Sequence, residues 1–186
     1  PEKKLIIIGA SGGYILDPDF LRRFESIIAV DPDPVAEWIF RGRFASCRAL
    51  LQWDSRDFFI KPGCTADLFR GFLSDSGSAA VLFSNFLGQI PFLIRSEKKR
   101  EEILSFWQKS LLSVLDGRSW ASFHDRYSCR RQPLGKDHVT SPEKLPGDAL
   151  IRKYYGADAS GEWVDHQTEG LFTGQNRYDY FVWQLT

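Results

Sequence analysis

The chain has 186 residues, 43% of them apolar and 15% aromatic, and its 24 basic side chains are balanced by 24 acidic ones. That composition excludes a disordered, collagen-like or coiled-coil chain, and the length suits one domain over residues 1–186 with a core of its own. The longest apolar runs, residues 5–8 and 79–83, are strand-sized, far short of the ~20 residues a membrane-spanning helix needs. No membrane partner is expected, and zero net formal charge argues against nucleic acid and for a small molecule. Cys47, Cys64 and Cys129 are widely separated, with no CxxC pair and no secretory signal segment, which points to a reducing cytoplasm. Each reads as a core or near-surface residue rather than a nucleophile. The sequence contains no methionine, an initiator included, which leaves room for residues ahead of Pro1.

In chain order, Leu5-Ile6-Ile7-Ile8 reads as a strand covered on both faces, followed by the turn Gly9-Ala10-Ser11-Gly12-Gly13. Asp17 caps a short helix with Pro18 at its first position and Phe20, Leu21 and Phe24 on one face. Ser26-Ile27-Ile28-Ala29-Val30 is a second buried strand that ends at Asp31. Pro34 opens a helix running through Phe40, and residues 49–53 form a third strand ending at Asp54. Thr65 or Asp67 caps a helix bearing Leu68, Phe69, Phe72 and Leu73, closed by Gly77. Residues 79–83 make the fourth strand and lead into Ser84-Asn85-Phe86-Leu87-Gly88-Gln89. Ser96 begins the longest helix, whose stripe Ile103, Trp107, Leu111, Val114 and Leu115 has the period of a helix lying on a sheet, and Gly117 stops it.

Trp120-Ala121-Ser122-Phe123 is a fifth strand, ending at His124. Residues 130–161 are polar and rich in Pro and Gly, with a short helical patch near 150–155; an excursion of that length suits a functional lid. The runs 163–172 and 178–185, separated by a loop containing Gly174, are expected to be antiparallel neighbours. Trp38, Phe40, Phe69 and Phe72 stand at helical spacing and are expected in the core. Strands alternating with helices predict an α/β fold of three layers, with a mostly parallel sheet, an antiparallel C-terminal hairpin, and ligands at the C-terminal strand ends.

The chemistry concentrates at the ends of the first two strands, where the glycine turn is followed by Asp31, 22 positions after Gly9. Glycines let a backbone approach a ligand closely and take positive φ, and a carboxylate at the second strand end accepts ribose hydroxyls. Together they describe a site for a nucleoside-containing cofactor; a tight turn and a helix cap are the plainer account of the same residues. In Ile6-Ile7-Ile8-Gly9-Ala10-Ser11-Gly12-Gly13, Ile28-Ala29-Val30-Asp31, Asp54 and the terminal hairpin, the chain resembles the S-adenosylmethionine-dependent methyltransferases of the Rossmann-like seven-stranded fold. The resemblance implies S-adenosylmethionine as cofactor and methyl transfer as activity. The family's G-x-G-x-G loop falls on Gly9, Ser11 and Gly13, and its ribose-binding acid on Asp31. The acid that accepts from the adenine amino group falls on Asp54, with Asp57 the alternative and helix capping the other account of Asp54.

Ser84 and Asn85 follow the fourth strand, where the family places residues beside the transferring methyl group; satisfying backbone groups at a strand end is the competing role. The N-P-P-[FY] signature is absent, with Phe86 and Leu87 at the proline positions, so the resemblance is to methyltransferases acting on a small-molecule methyl acceptor at oxygen or nitrogen. Asn85 is the candidate to position that acceptor. His124 is the candidate base, because an imidazole titrates near neutrality, set against an ordinary polar strand-end residue. His124, His138 and His166 share no local spacing that suits a metal. Tyr14 either covers the ligand or packs on the first helix. Two other readings use the same residues. An NAD(P)-dependent oxidoreductase shares the strand, glycine turn and acid, but Ile15 occupies its third glycine position and no Tyr-x-x-x-Lys pair is present. A methyltransferase-like protein that binds without catalysis is the third.

Overall fold

The structure is a computed structural model that describes residues 2–61, 63, 65–87, 89–129, 143–144, 161–165 and 178–185. Five strands lie parallel in its sheet: β1 (Lys4–Ile8), β2 (Ser26–Val30), β3 (Leu51–Asp54), β4 (Ala80–Ser84) and β5 (Trp120–Cys129). Three more complete it among the described residues: β6 (Glu143–Lys144), β7 (Gly161–Asp165) and β8 (Tyr178–Leu185). The strand order is β3-β2-β1-β4-β5-β8-β7, with β6 pairing β5 off this path. β8 is antiparallel to both β5 and β7.

The side-chain alternation of β1 explains why its apolar run is continuous. Ile6 and Ile8 enter one core cluster and Leu5 and Ile7 another, on the opposite face, and none of the four is more than 2% exposed. The first cluster packs the sheet against α3 (Ala66–Asp75), α4 (Ile90–Leu93) and α5 (Glu97–Leu115). The second packs it against α1 (Pro18–Leu21), α2 (Pro34–Arg43) and a 3₁₀ turn, Ala45–Leu50. Helix starts follow their caps: the side chains of Asp17, Asp33 and Thr65 accept from the N–H groups of Asp19, Val35 and Leu68 at 2.8, 2.8 and 3.1 Å. Gly77 and Gly117 take φ of 72° and 71° just past α3 and α5, the left-handed stop expected after a helix.

The first cluster is built of aromatic rings around Phe59, whose centroid lies 4.5 Å from that of Trp107, 4.9 Å from Phe86 and 5.0 Å from Phe69. The Trp107 indole N–H also donates to the Phe59 carbonyl at 3.2 Å, so the loop after β3 is fixed to α5 by ring contact and hydrogen bond together. That anchorage places the loop at the C-terminal edge of the sheet. The order reverses between β1 and β4, where a crevice opens above the strand ends.

Several expectations are corrected. Trp38 is 77% exposed: it stands on the outer face of α2, while Phe40 on the same helix is buried. The third strand starts at Leu51 because residues 45–50 wind into the 3₁₀ turn, and α4 arises in a stretch to which no element was assigned. β5 continues to Cys129, so the His124 backbone lies within the strand, paired with Val182, rather than at its end. β7 spans Gly161–Asp165, so it starts two residues before the expected run, whose residues 166–172 lie outside the described residues. The expected lid, apart from residues 143–144 and Gly161, and its helical patch at 150–155 lie outside the described residues, as do His138 and His166. No described helix is long and apolar enough to cross a membrane.

Among the described residues one buried group is unsatisfied: the Ser122 hydroxyl on β5 has no hydrogen-bond partner there, and the residue is fully buried. An orphaned buried hydroxyl costs free energy that its removal returns. Ser122→Ala is therefore expected to raise stability by about 1 kcal/mol, read as a shift of the urea midpoint at unchanged slope. A drop in the midpoint would show that the hydroxyl has a partner after all.

Candidate functional site

A cleft of about 410 Å³ opens at the C-terminal ends of β1, β2 and β4, within the range of small-molecule sites. Its floor is the turn after β1. There the backbone takes left-handed φ at alternate residues, 71° at Gly9, 47° at Ser11 and 66° at Gly13. A Cβ on Gly9 would stand 2.6 Å from the Phe86 Cβ, and one on Gly13 2.5 Å from the Phe44 ring, so both positions need glycine for space as well as for φ. Ser11 holds the same conformation and is exposed, at a cost of roughly 1–2 kcal/mol.

Asp31 holds this turn in place. One carboxylate oxygen accepts from the Ser11 N–H and the other from the Asp33 N–H, both at 2.9 Å. The Gly9 N–H donates to the Val30 carbonyl, also at 2.9 Å, so the turn after β1 is stitched to the end of β2. Burial pushes the Asp31 carboxyl above its ordinary value, and the charges of Asp33 and Asp57 push the same way, against the pull of the two N–H groups. Asp33 and Asp57 both line the cleft beside it.

Asp54 is placed differently. Its carboxylate forms a fork with the Arg56 guanidinium, with Nε at 2.9 and 3.0 Å from its two oxygens, and also accepts the Arg56 N–H at 2.9 Å. Burial would raise its pKa, but the side-chain and backbone bonds and charge of Arg56 together hold it below the ordinary value. Arg56 and Asp57 line the cleft, and Asp54 is not among the described lining residues. The guanidinium also lies 5.1 and 4.9 Å from the ring centroids of Phe58 and Phe72. Asp57 accepts the N–H groups of Phe59 and Ile60, both at 2.9 Å, which turns the chain into the aromatic core.

The loop after β4 closes the other side. Ser84, Asn85 and Phe86 all line the cleft. Asn85 has φ of 53°, a conformation Asn tolerates better than most residues, and its N–H donates to the Phe123 carbonyl at 2.9 Å. Ser84 pairs in register with Phe123, so the His124 backbone stands one position further along β5. The structure thus brings together Gly9, Ser11, Gly13, Asp31, Ser84 and Asn85. Tyr14 also lines the cleft, beneath Arg43 at 4.8 Å from its ring centroid. Sequence reasoning missed Asp33, Arg56, Gln89 and Leu93; only Asp33, next to a strand-end acid, had a visible signal. Among the described residues no cluster of His, Cys, Asp or Glu suits a metal ion.

No family model matches the chain, and no curated protein matches it. Solved structures do. An S-adenosylmethionine-dependent methyltransferase from Anabaena variabilis superposes with a TM-score of 0.52 at 15% identity, covering 96% of this chain and 76% of that one. The N-methyltransferase NodS from Bradyrhizobium japonicum, in complex with S-adenosyl-L-homocysteine, gives a TM-score of 0.45 at 12% identity, covering 98% of this chain and 78% of that one. The likeness to the Anabaena protein, with the parallel strand order above, makes this the Rossmann-like fold of the S-adenosylmethionine-dependent methyltransferases.

The conformation of Ser11 generates a prediction. Ser11→Gly relieves the left-handed cost and should leave stability equal or slightly higher, while Ser11→Val, β-branched at φ of 47°, should lower it by about 1–2 kcal/mol or more. Chemical denaturation of both variants checks the order Gly, Ser, Val; a valine variant as stable as the parent would mean the turn is not held left-handed.

Proposed function

We propose that the protein is an S-adenosylmethionine-dependent methyltransferase whose acceptor is a small molecule methylated at oxygen or nitrogen. The observation that carries this reading is the charge on the cleft: Asp31, Asp33 and Asp57 line it, while its one described cation, Arg56, is already bound by Asp54. An acidic cleft beside a strand-end carboxylate suits a ribose-bearing cation and repels the pyrophosphate of a nicotinamide dinucleotide. The fold likeness to the Anabaena methyltransferase supports the same reading.

Each residue then has a task. The Gly9, Ser11 and Gly13 backbone lets the cofactor lie close against the strand ends. Asp31 accepts the ribose hydroxyls, since each carboxylate oxygen has a second lone pair beyond the one used by the backbone. Asp57 rather than Asp54 faces the adenine end, because Asp54 is engaged with Arg56. When bound, the cofactor supplies an electrophilic methyl group on a sulfonium. Ser84 borders it, Asn85 orients the acceptor, and His124 takes the acceptor's proton, assigned on its place one position beyond the partner of Ser84 in β5. Orientation and exclusion of water are the main contributions asked of the protein.

Differential scanning of the full chain tests the proposal. S-adenosylmethionine or its demethylated product at ~100 times its dissociation constant should stabilise by ~2.7 kcal/mol, and NAD or NADP should not. Stabilisation by a nicotinamide dinucleotide instead overturns the reading.

The pH dependence of binding follows from Asp31. Its raised pKa means the carboxyl takes up a proton at a higher pH than an ordinary aspartate, near 3.8, so affinity should begin to fall above that value as the solution is acidified. Asp31→Asn should weaken cofactor binding by roughly 1.5–3 kcal/mol at neutral pH and remove this acid limb. Calorimetric titrations between pH 4 and 8 decide it; an acid limb unchanged in the variant would assign the titration to another group.

A further inference from the structure

The lining of the cleft divides along the sheet. Its charged side chains, Asp31, Asp33, Arg56 and Asp57, all come from the loops after β2 and β3. The side over β1 and β4 is lined by Tyr14, Ile15, Asn85, Phe86, Gln89 and Leu93, together with Ser84, and among the described residues none there is charged. Arg43 stacks on the Tyr14 ring without joining the described lining.

This uncharged half presents apolar surface at Ile15, Phe86 and Leu93. Phe86 is held between Gly9, whose Cα it covers, and the Phe59 ring, 4.9 Å away. Leu93, on α4 at the mouth, is 54% exposed, an apolar side chain open toward whatever enters. A charged molecule seated here would lose water against Ile15, Phe86 and Leu93 with no counter-ion among the described residues of this side, and an anion would also face Asp31, Asp33 and Asp57 across the cleft. Ser84, Asn85 and Gln89 supply neutral donors and acceptors instead, suited to a hydroxyl, an amine or a ring nitrogen.

We infer that the methyl acceptor is an uncharged molecule with an apolar, ring-sized body, bound on the β1–β4 side of the cleft with its reacting heteroatom at Asn85. The inference rests on the methyltransferase reading for the word acceptor, and on the lining alone for its chemical class. Leu93 is the specificity residue at the entrance.

Two probes sharing one aromatic frame test it: neutral N-phenyl-1-naphthylamine and anionic 1-anilinonaphthalene-8-sulfonate, titrated by fluorescence into the full chain saturated with S-adenosylhomocysteine. The neutral probe should bind at least tenfold tighter. In Leu93→Lys that ratio should fall at least tenfold, and in Leu93→Met it should be kept; the exposed position tolerates both changes. A sulfonate bound as tightly as the neutral probe, or a ratio unmoved by Leu93→Lys, overturns the acceptor class. Binding of S-adenosylhomocysteine is scored separately by calorimetry. No such binding with the probe ratio intact leaves an apolar pocket without a methyl donor, and overturns the methyltransferase reading and the acceptor assignment with it.

Discussion

The Asp31 carboxylate is the joint on which the site depends. By accepting from Ser11 and Asp33 at once, it locks the turn after β1 to the turn after β2, and both turns are defined by where that group sits. A carboxylate used this way keeps acceptor capacity beyond its structural bonds, because each of its oxygens can accept twice. The position has an electrostatic cost. Asp31 is half-buried and faces two further acids, so its negative charge is held against both burial and repulsion. That accumulation of negative charge comes from the loops at the strand ends themselves rather than from one added side chain.

The other two lining loops are held by packing instead of charge. Phe58 and Phe59 carry the loop after β3 into the aromatic cluster with Phe69, Phe72 and Trp107, and Phe86 carries the loop after β4 into the same cluster. Three walls of the cleft are thus tied to the core or to each other, and the geometry they present is set before any ligand arrives. The Asp54–Arg56 fork adds to the second of these walls. Asp54 has its carboxyl lowered in the fold, so the fork's contribution to stability is complete above the ordinary carboxylate range and is lost as pH falls through the lowered value.

The parts of the fold legible in the sequence were those governed by local rules. Caps at Asp17, Thr65 and Ser96, the helix stops Gly77 and Gly117, and the strand Ser26–Val30 all follow from what a residue's own side chain, or a glycine's lack of one, does to the local backbone. Trp38 shows the limit: spacing alone does not say which side of α2 meets the sheet, and the packing of Phe40 and Phe44 against the second core cluster decided it. The site followed the same division. Asp31 and the glycine turn were visible because strand ends and turns announce themselves, whereas choosing between Asp54 and Asp57 required knowing which one Arg56 would capture, a contact set by the path of the loop. Leu93 and Gln89 had no signal at all, since the short helix that brings Leu93 to the mouth is an outcome of tertiary packing.

Ser11 is where residue type and conformation part. Read as letters, a serine at the centre of a glycine loop weakens the loop. The backbone, however, passes through Gly9, Ser11 and Gly13 with the same left-handed φ, and Ser11 gives its N–H to Asp31. A short side chain at an exposed position meets no packing, and a charge-assisted hydrogen bond offsets the conformational cost at the same residue. Glycine was required at the two positions where a Cβ would strike Phe86 or Phe44, and there it is present. The floor of the cleft thus keeps one backbone shape through Gly9, Ser11 and Gly13, and the departure at Ser11 changes the residue type without changing that shape.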